Sequence, residues 1–222
     1  MSFDIHAKPP IYFNVVRKEM IPFVPREAKV VLEVGCGDGN FAELLLSRGA
    51  TEVWGIEYEK DQAELAKKRM AKVLVGDVAE QLGGLPETYF DAIICNDVLE
   101  HLIDPYTVIS KLKSKLKKDG VMISSIPNIR YFRNLFDYFF NKNWDYTDSG
   151  IMDKTHFRFF TYRSIRKMFE ANGYEVVKLV GINPTKSIRP FIWNLIFLGS
   201  FWDIRYLQFA TIAKPLVSIK NI

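Results

Sequence analysis

The sequence predicts an α/β fold built on a parallel sheet. Three observations carry this expectation. Residues 31–40, VLEVGCGDGN, place three alternating glycines and an acidic residue at the end of an apolar run. Short apolar runs then alternate with helix-like amphipathic stretches up to about residue 128, the rhythm of strand–helix–strand units. Polar residues follow several of these runs directly, where an open sheet puts its ligand-binding groups.

Composition sets the frame. At 222 residues, 48% of them hydrophobic, residues 1–222 fit one domain with a sizeable core. A net charge of +4 is mild and does not call for a nucleic-acid partner. Cys36 and Cys95 are the only cysteines, both in apolar strand-end settings, so a disulfide framework is not expected and a reducing, cytoplasmic location is. Residues 1–10 contain charge, histidine and two prolines rather than the apolar run of a signal peptide.

Residues 11–24 mix Tyr12, Phe13, Val15, Val16, Met20 and Ile21 with Arg17, Lys18 and Glu19, predicting a short amphipathic cover helix ended near Pro22 and Pro25. Val30, Val31, Leu32 and Val34 read as a buried parallel strand. Gly35, Gly37 and Gly39 then let the chain turn sharply and approach a ligand closely, and Phe41, Leu44 and Leu45 continue with helical spacing. A dinucleotide loop places its glycines first, third and sixth. Counted from Gly35 the sixth position is Asn40, which weighs against a nicotinamide-dependent oxidoreductase. Glu33 also turns negative charge towards the site, suiting a cationic ligand better than a pyrophosphate.

Residues 52–56 form the second strand. Glu57 lies 18 residues beyond Gly39, near the spacing at which a carboxylate accepts both ribose hydroxyl protons; an incidental strand-end charge is the rival reading. A charged surface helix over 61–72 leads to a third strand at 73–75, closed by Gly76 and Asp77. Asp77 is suited equally to capping a helix. Gly83, Gly84 and Pro86 mark a loop before the fourth strand at 91–95, and Asn96, Asp97 and His101 follow it. A histidine there is a natural proton acceptor or, alternatively, a structural residue. The helix over 106–117 buries Val108, Ile109, Leu112 and Leu116, and its lysines form a solvated face. Asp119-Gly120 turns the chain into a fifth strand at 121–126, ended by Pro127 and Asn128.

From 129 to 155 the rhythm stops and aromatics dominate: Tyr131, Phe132, Phe136, Tyr138, Phe139, Phe140, Trp144 and Tyr146. A helix-and-loop lid at the rim of the sheet is expected, serving as substrate wall, as a self-packed unit, or as both. Thr161 should cap a helix running to Ala171, ended by Asn172-Gly173. Residues 174–180 and 206–213 are the last two strands. Between them PFIWNLIFLGSFWDIRYL, residues 190–207, has an apolar stretch too short for the roughly 20 residues of a bilayer crossing. It fits a lid helix over a lipid-like acceptor, a homodimer contact or shallow, peripheral insertion into a membrane.

Together these segments resemble the class I S-adenosylmethionine-dependent methyltransferases. The glycine loop resembles their first motif. Glu57, Gly76-Asp77, FDAIICNDVLEHLIDP at 90–105, SIPNIRY at 125–131, THFRFFT at 155–161 and LQFATIAKP at 207–215 follow in the same order. The chain is similar to the ubiquinone-biosynthesis O-methyltransferases and, closer still, to relatives linked to bacterial surface-polysaccharide biosynthesis, over about 11–182 and 204–215. The resemblance implies a Rossmann-like, seven-stranded sheet of order 3-2-1-4-5-7-6 with strand 7 antiparallel, helices on both faces, and a small cap from insertions at 129–155 and 181–204. It implies S-adenosyl-L-methionine as cofactor. Glu33 and the loop Gly35, Cys36, Gly37 and Gly39 would hold its methionine end, Glu57 the ribose, and Asp77 with Val78 the adenine, with Tyr58 also among the cofactor contacts. Asn96 and Asp97 would hold the amino-acid portion, and Tyr12, Asn14 and Arg17 would border the entrance.

The expected reaction is methyl transfer to a small-molecule, saccharide or lipid-linked acceptor, preferentially at a hydroxyl oxygen. His101 and His156 are the expected bases, and Tyr131, Trp144 and Arg158 the substrate contacts. No carboxylate–histidine cluster is visible in the spacing, so no metal is expected. N-methyl transfer and a non-catalytic cofactor-binding partner protein are the other readings.

Overall fold

The computed structural model describes residues 16–216. Tyr12 and Asn14 lie outside that range. Seven strands are formed: β1 (Val30–Val34), β2 (Glu52–Glu57), β3 (Lys72–Val75), β4 (Phe90–Asn96), β5 (Leu116–Pro127), β6 (Tyr174–Pro184) and β7 (Tyr206–Pro215). They make one sheet in the order β3-β2-β1-β4-β5-β7-β6. The pairs β1–β2, β2–β3, β1–β4 and β4–β5 are parallel, whereas β7 runs antiparallel to both β5 and β6. This is the implied topology.

Strand periodicity of two sorts the core into two layers. Leu32, Ile93 and Cys95 enter one apolar cluster, while the alternating Val31, Ala92 and Ile94 enter the other. The first layer is closed by α3 (Val78–Gln81), α4 (Pro105–Leu112) and α6 (Tyr162–Ala171), through Val78, Val108, Ile109, Leu112, Ile165, Met168 and Phe169. The second is closed by α1 (Asn40–Ser47) and α2 (Lys60–Ala66), through Phe41, Ala42, Leu45 and Ala66. Each large side chain so buried contributes about 1.5–3 kcal/mol relative to exposure. Thr161 caps α6 as expected: its hydroxyl accepts from Ser164 N at 3.2 Å, and the Ser164 hydroxyl accepts from Thr161 N at 2.8 Å.

Four expectations need correction. In place of an amphipathic helix over 11–24, the described part forms a 3₁₀ turn, Lys18–Phe23, because Pro22 removes a backbone donor. The Asp119-Gly120 turn does not precede β5 but lies within it: pairing jumps from Phe90↔Leu116 to Ala92↔Val121, so the extra residues loop out while the strand continues. β6 runs past Val180 to Pro184, so the second insertion is shorter than 181–204. Gly181 permits this, since a Cβ there would stand 2.1 Å from Tyr206 Cγ.

The fourth concerns the cap. The insertions carry α5 (Phe132–Phe139) and α7 (Arg189–Ile196), which meet through Phe140 and Trp193 with ring centroids 5.8 Å apart. They are rooted beside β5 and β7. Asn128 Nδ2 donates to Asp203 O and Tyr206 O, each at 3.0 Å, and Arg130 pairs with Asp203 at 2.8 Å. Neither helix contributes a residue to the cleft at the β1–β4 strand ends.

Candidate active site

The carboxyl ends of β1, β2, β3 and β4 share one edge of the sheet, and the residues that follow them surround a cleft of about 830 Å³. Its size suits a small-molecule ligand. Glu33, Gly35, Cys36, Gly37, Glu57, Tyr58, Asp77, Val78, Asn96, Asp97 and His101 all line it. Gly39 stands just behind, at φ 84, where the loop turns into α1; a Cβ would meet Ala66 Cα at 3.2 Å.

Glu33, inside β1, is 3% exposed, and its Oε2 has no hydrogen-bond partner among the described residues. Burial holds this carboxyl well above the usual carboxylate range, and the charges of Glu57 and Asp38 push it the same way. Asn96, at the end of β4, has Oδ1 and Nδ2 both buried and likewise without partners among the described residues. A buried polar group left unsatisfied costs about 1–3 kcal/mol. Two such groups lining one cleft mark where a polar, cationic ligand would compensate the fold.

Glu57 Oε2 accepts from Gly37 N at 2.7 Å and Oε1 from Glu59 N at 2.9 Å, so its carboxylate shapes the glycine loop while facing the cleft. Burial raises its pKa, and these backbone donors oppose the rise. Asp77 caps α3, its Oδ1 accepting from Ala79 N at 2.7 Å, so the cap reading is realised at a residue that also lines the cleft. Cys36 is a buried thiol whose pKa is pushed up by burial and by Glu33.

Asp97 is more constrained than the sequence suggests. Its carboxylate pairs with the Arg17 guanidinium, accepts from Gln208 Nε2 at 2.5 Å and from Ser125 Oγ at 3.2 Å, and its backbone adopts φ 54. The carboxylate thus ties the N-terminal segment, β5 and β7 to the cleft wall. Arg17 lines the cleft, as expected.

The two histidines part company. His101 lines the cleft; His156 is 7% exposed, does not, and stacks edge-on behind His101 with centroids 4.5 Å apart. His101 Nδ1 lies 3.1 Å from Thr155 O and 3.0 Å from Thr155 Oγ1, and that hydroxyl donates to Asp153 Oδ1 at 2.7 Å. A carbonyl oxygen only accepts, so in the neutral ring Nδ1 carries the proton and Nε2 the lone pair. The expectation that no carboxylate–histidine cluster exists is also corrected: Glu100, His101 and His156 each bring a potential ligand atom, all within 4.8 Å of one another.

The expected substrate contacts are not brought to the cleft. Arg158 donates through Nε and Nη2 to Ile103 O at 3.1 and 2.6 Å, seating the segment after the insertion. Trp144 is exposed and packs on Tyr138 and Phe159, and Tyr131 packs on Phe132. The cleft wall near His101 is built instead from Leu102, Ile103, Thr155 and Phe157. The support given by Thr155, Asp153 and Gln208 has no local sequence signal, because these residues meet their partners only through the fold.

A Rossmann-like sheet with a glycine loop and carboxylates at successive strand ends defines a nucleoside-cofactor transferase class. The methyltransferase domain family matches residues 12–179, and the chain belongs to that family of enzymes, whose cofactor is S-adenosyl-L-methionine. Its curated relatives include the ubiquinone biosynthesis O-methyltransferase of Actinobacillus pleuropneumoniae, 34% identical over 45% of this chain and 46% of that one. The enzyme of the same name from Haemophilus ducreyi is 32% identical over 56% and 55%. The chain thus spans about half the length of the curated relatives it matches. In fold it is similar to a SAM-dependent methyltransferase from Archaeoglobus fulgidus (TM-score 0.65, 23% identity, 88% of this chain and 90% of that one). It is also similar to magnesium protoporphyrin IX methyltransferase from Synechocystis with bound SAH (TM-score 0.58, 16% identity, 88% and 78%).

Proposed function

We propose that the chain transfers a methyl group from S-adenosyl-L-methionine to a hydroxyl oxygen of a small acceptor, free or carried on a saccharide or lipid. The observation that carries this reading is the cleft itself: unpartnered Glu33 and Asn96 atoms stand in its wall, and the cleft-lining His101 follows them in the chain. The names of the curated relatives favour oxygen over nitrogen as the methylated atom.

When bound, the cofactor supplies a sulfonium methyl whose carbon–sulfur bond breaks as the acceptor's oxygen–carbon bond forms, the electron pair staying on sulfur. The chain's own residues bind, orient and exclude water. Glu33, with the backbone of the glycine loop, holds the cationic amino-acid end, and Asn96 adds a donor and an acceptor beside it. Glu57 accepts the ribose hydroxyl protons with lone pairs beyond those used by Gly37 and Glu59. Asp77 accepts from the adenine amino group through the oxygen that its cap leaves over, and Val78 flanks the ring. His101 acts on the acceptor's hydroxyl proton through Nε2, its ring fixed from behind by Thr155. The exposed apolar row on α7 serves as a contact surface, for a membrane face or a second copy of the chain.

Calorimetry of the full chain with adenosylhomocysteine and, separately, with a reduced nicotinamide dinucleotide tests the assignment. Saturable binding of the first alone is expected. Binding of the nicotinamide alone would overturn it.

A further inference from the structure

We propose that Arg205, with Lys186 and Arg189 beside it, forms a binding site for a phosphate monoester or diphosphate, water-soluble or carried by a lipid. The inference is independent of the methyl-transfer reading, because none of the three residues lines the cleft. It starts from charge along the sequence. After Glu175 the only acidic residue is Asp203, while six basic residues share that stretch. The fold commits this one carboxylate elsewhere: Asp203 Oδ2 accepts from Arg130 Nε at 2.8 Å, and Oδ1 from Arg130 Nη2 at 3.2 Å.

Arg205 is left with aromatic rings in place of a counterion. Its Cζ stands 4.8 Å from the ring centroid of Phe191 and 5.0 Å from that of Tyr206. Its Nε is buried and has no hydrogen-bond partner among the described residues. Burying a guanidinium nitrogen in this way is costly, since its bonds to water are lost and nothing replaces them. Contact with two rings also fixes the plane of the guanidinium. A fixed, planar fork of donors matches paired phosphate oxygens, which a compact ammonium cannot do.

The start of α7 supplies the rest of the site. Thr185 N donates to Arg205 O at 2.8 Å, so the turn entering α7 lies against Arg205. Lys186 follows Thr185, and Arg189 opens the helix two residues before Phe191; both cations are exposed. A helix N-terminus favours negative charge, yet α7 begins on Arg189 and has no acidic residue in its first turn. A terminal phosphate offers three oxygens, enough to meet the Arg205 fork and a neighbouring cation at once. The exposed Phe191 and Ile192 give the carbon portion of the ester an apolar surface beside them. The rival account is a solvated basic edge that selects no anion.

The full chain is titrated calorimetrically with inorganic pyrophosphate and with glycerol phosphate. In parallel it is co-sedimented with vesicles of equal parts phosphatidylcholine and phosphatidic acid. Sedimentation counts only as the excess over vesicles of phosphatidylcholine alone. Saturable binding in at least one arm is expected, and the arm that shows it tells a soluble ester from a lipid headgroup. Arg205→Lys keeps the charge and loses the fork, so it should weaken that binding at least about tenfold, the worth of a charged hydrogen-bond partner. The surface double variant Lys186→Gln with Arg189→Gln should weaken it by a similar factor, and it decides alone should Arg205→Lys lose its circular dichroism. A wild-type chain that binds in no arm, or variants that bind as tightly as wild type, would overturn the proposal.

Discussion

Glu33 carries a conflict that only a ligand resolves. In the folded chain its carboxyl is buried and its pKa is raised well above the usual value. An acid with a raised folded-state pKa binds more protons folded than unfolded, so the chain loses stability as pH rises from the ordinary carboxylate range through the raised value. Glu33→Gln removes that liability without changing shape. Its denaturant midpoint should fall less than wild type's as pH rises above the ordinary carboxylate range, while its cofactor affinity drops by about 1.5–3 kcal/mol, the scale of a charged hydrogen-bond partner. Unchanged affinity in a calorimetric titration would remove Glu33 from the binding role. Glu33, Glu57 and Asp77 were readable in the sequence because each is fixed by its position beside a glycine turn or at a strand end. Gln208 and Thr155 were not: one lies on the last strand and the other at the far end of an insertion, and no local pattern links either to Asp97 or His101.

At the scale of elements, strands and helices were legible where burial imposes a period. β1, β4 and α6 fall within a residue or two of expectation, since their alternation or 3.6-residue spacing is set by the two core layers. The misses occur where tertiary pairing overrides local signals. Asp119-Gly120 reads as an ordinary turn, yet β5 resumes the same ladder after it; β6 continues past Val180 because Gly181 gives room to Tyr206. The cap of α6 offers a test confined to one element. Thr161→Ala should cost about 1 kcal/mol of stability, measured by chemical denaturation, and leave cofactor affinity alone, as Thr161 does not line the cleft. A loss of affinity matching the loss of stability would show that α6 and the cleft are coupled.

For the whole molecule, the sheet and its cleft were foreseeable and the placing of the insertions was not. Aromatic content alone does not say where an insertion is rooted; the bonds of Asn128 and Arg130 to Asp203 join the two beside β5 and β7. Of the roles considered for residues 190–207, a lid helix over a lipid-like acceptor draws no support from the cleft, because no residue of that segment lines it. What remains is a row of exposed apolar side chains, Leu195 at 78% on a helix too short to cross a membrane and Leu198 at 94% just beyond its end. Replacing Leu195 and Ile196 by serine should move stability by no more than about 0.5 kcal/mol, as surface changes do. It should abolish whatever vesicle co-sedimentation or self-association the unaltered chain shows. A parent chain that stays monomeric and off vesicles would refute the contact role.

The tie among Arg17, Asp97 and Gln208 joins residues near both ends of the described chain to its middle. During synthesis the wall carrying Asp97 therefore stays incomplete until β7 has left the ribosome, although β1 to β4 emerge long before. Such distant closures come late in folding. Capture of ligand by nascent chains of increasing length should accordingly switch on in one late step, which makes occupancy of this cleft a report on the arrival of β7.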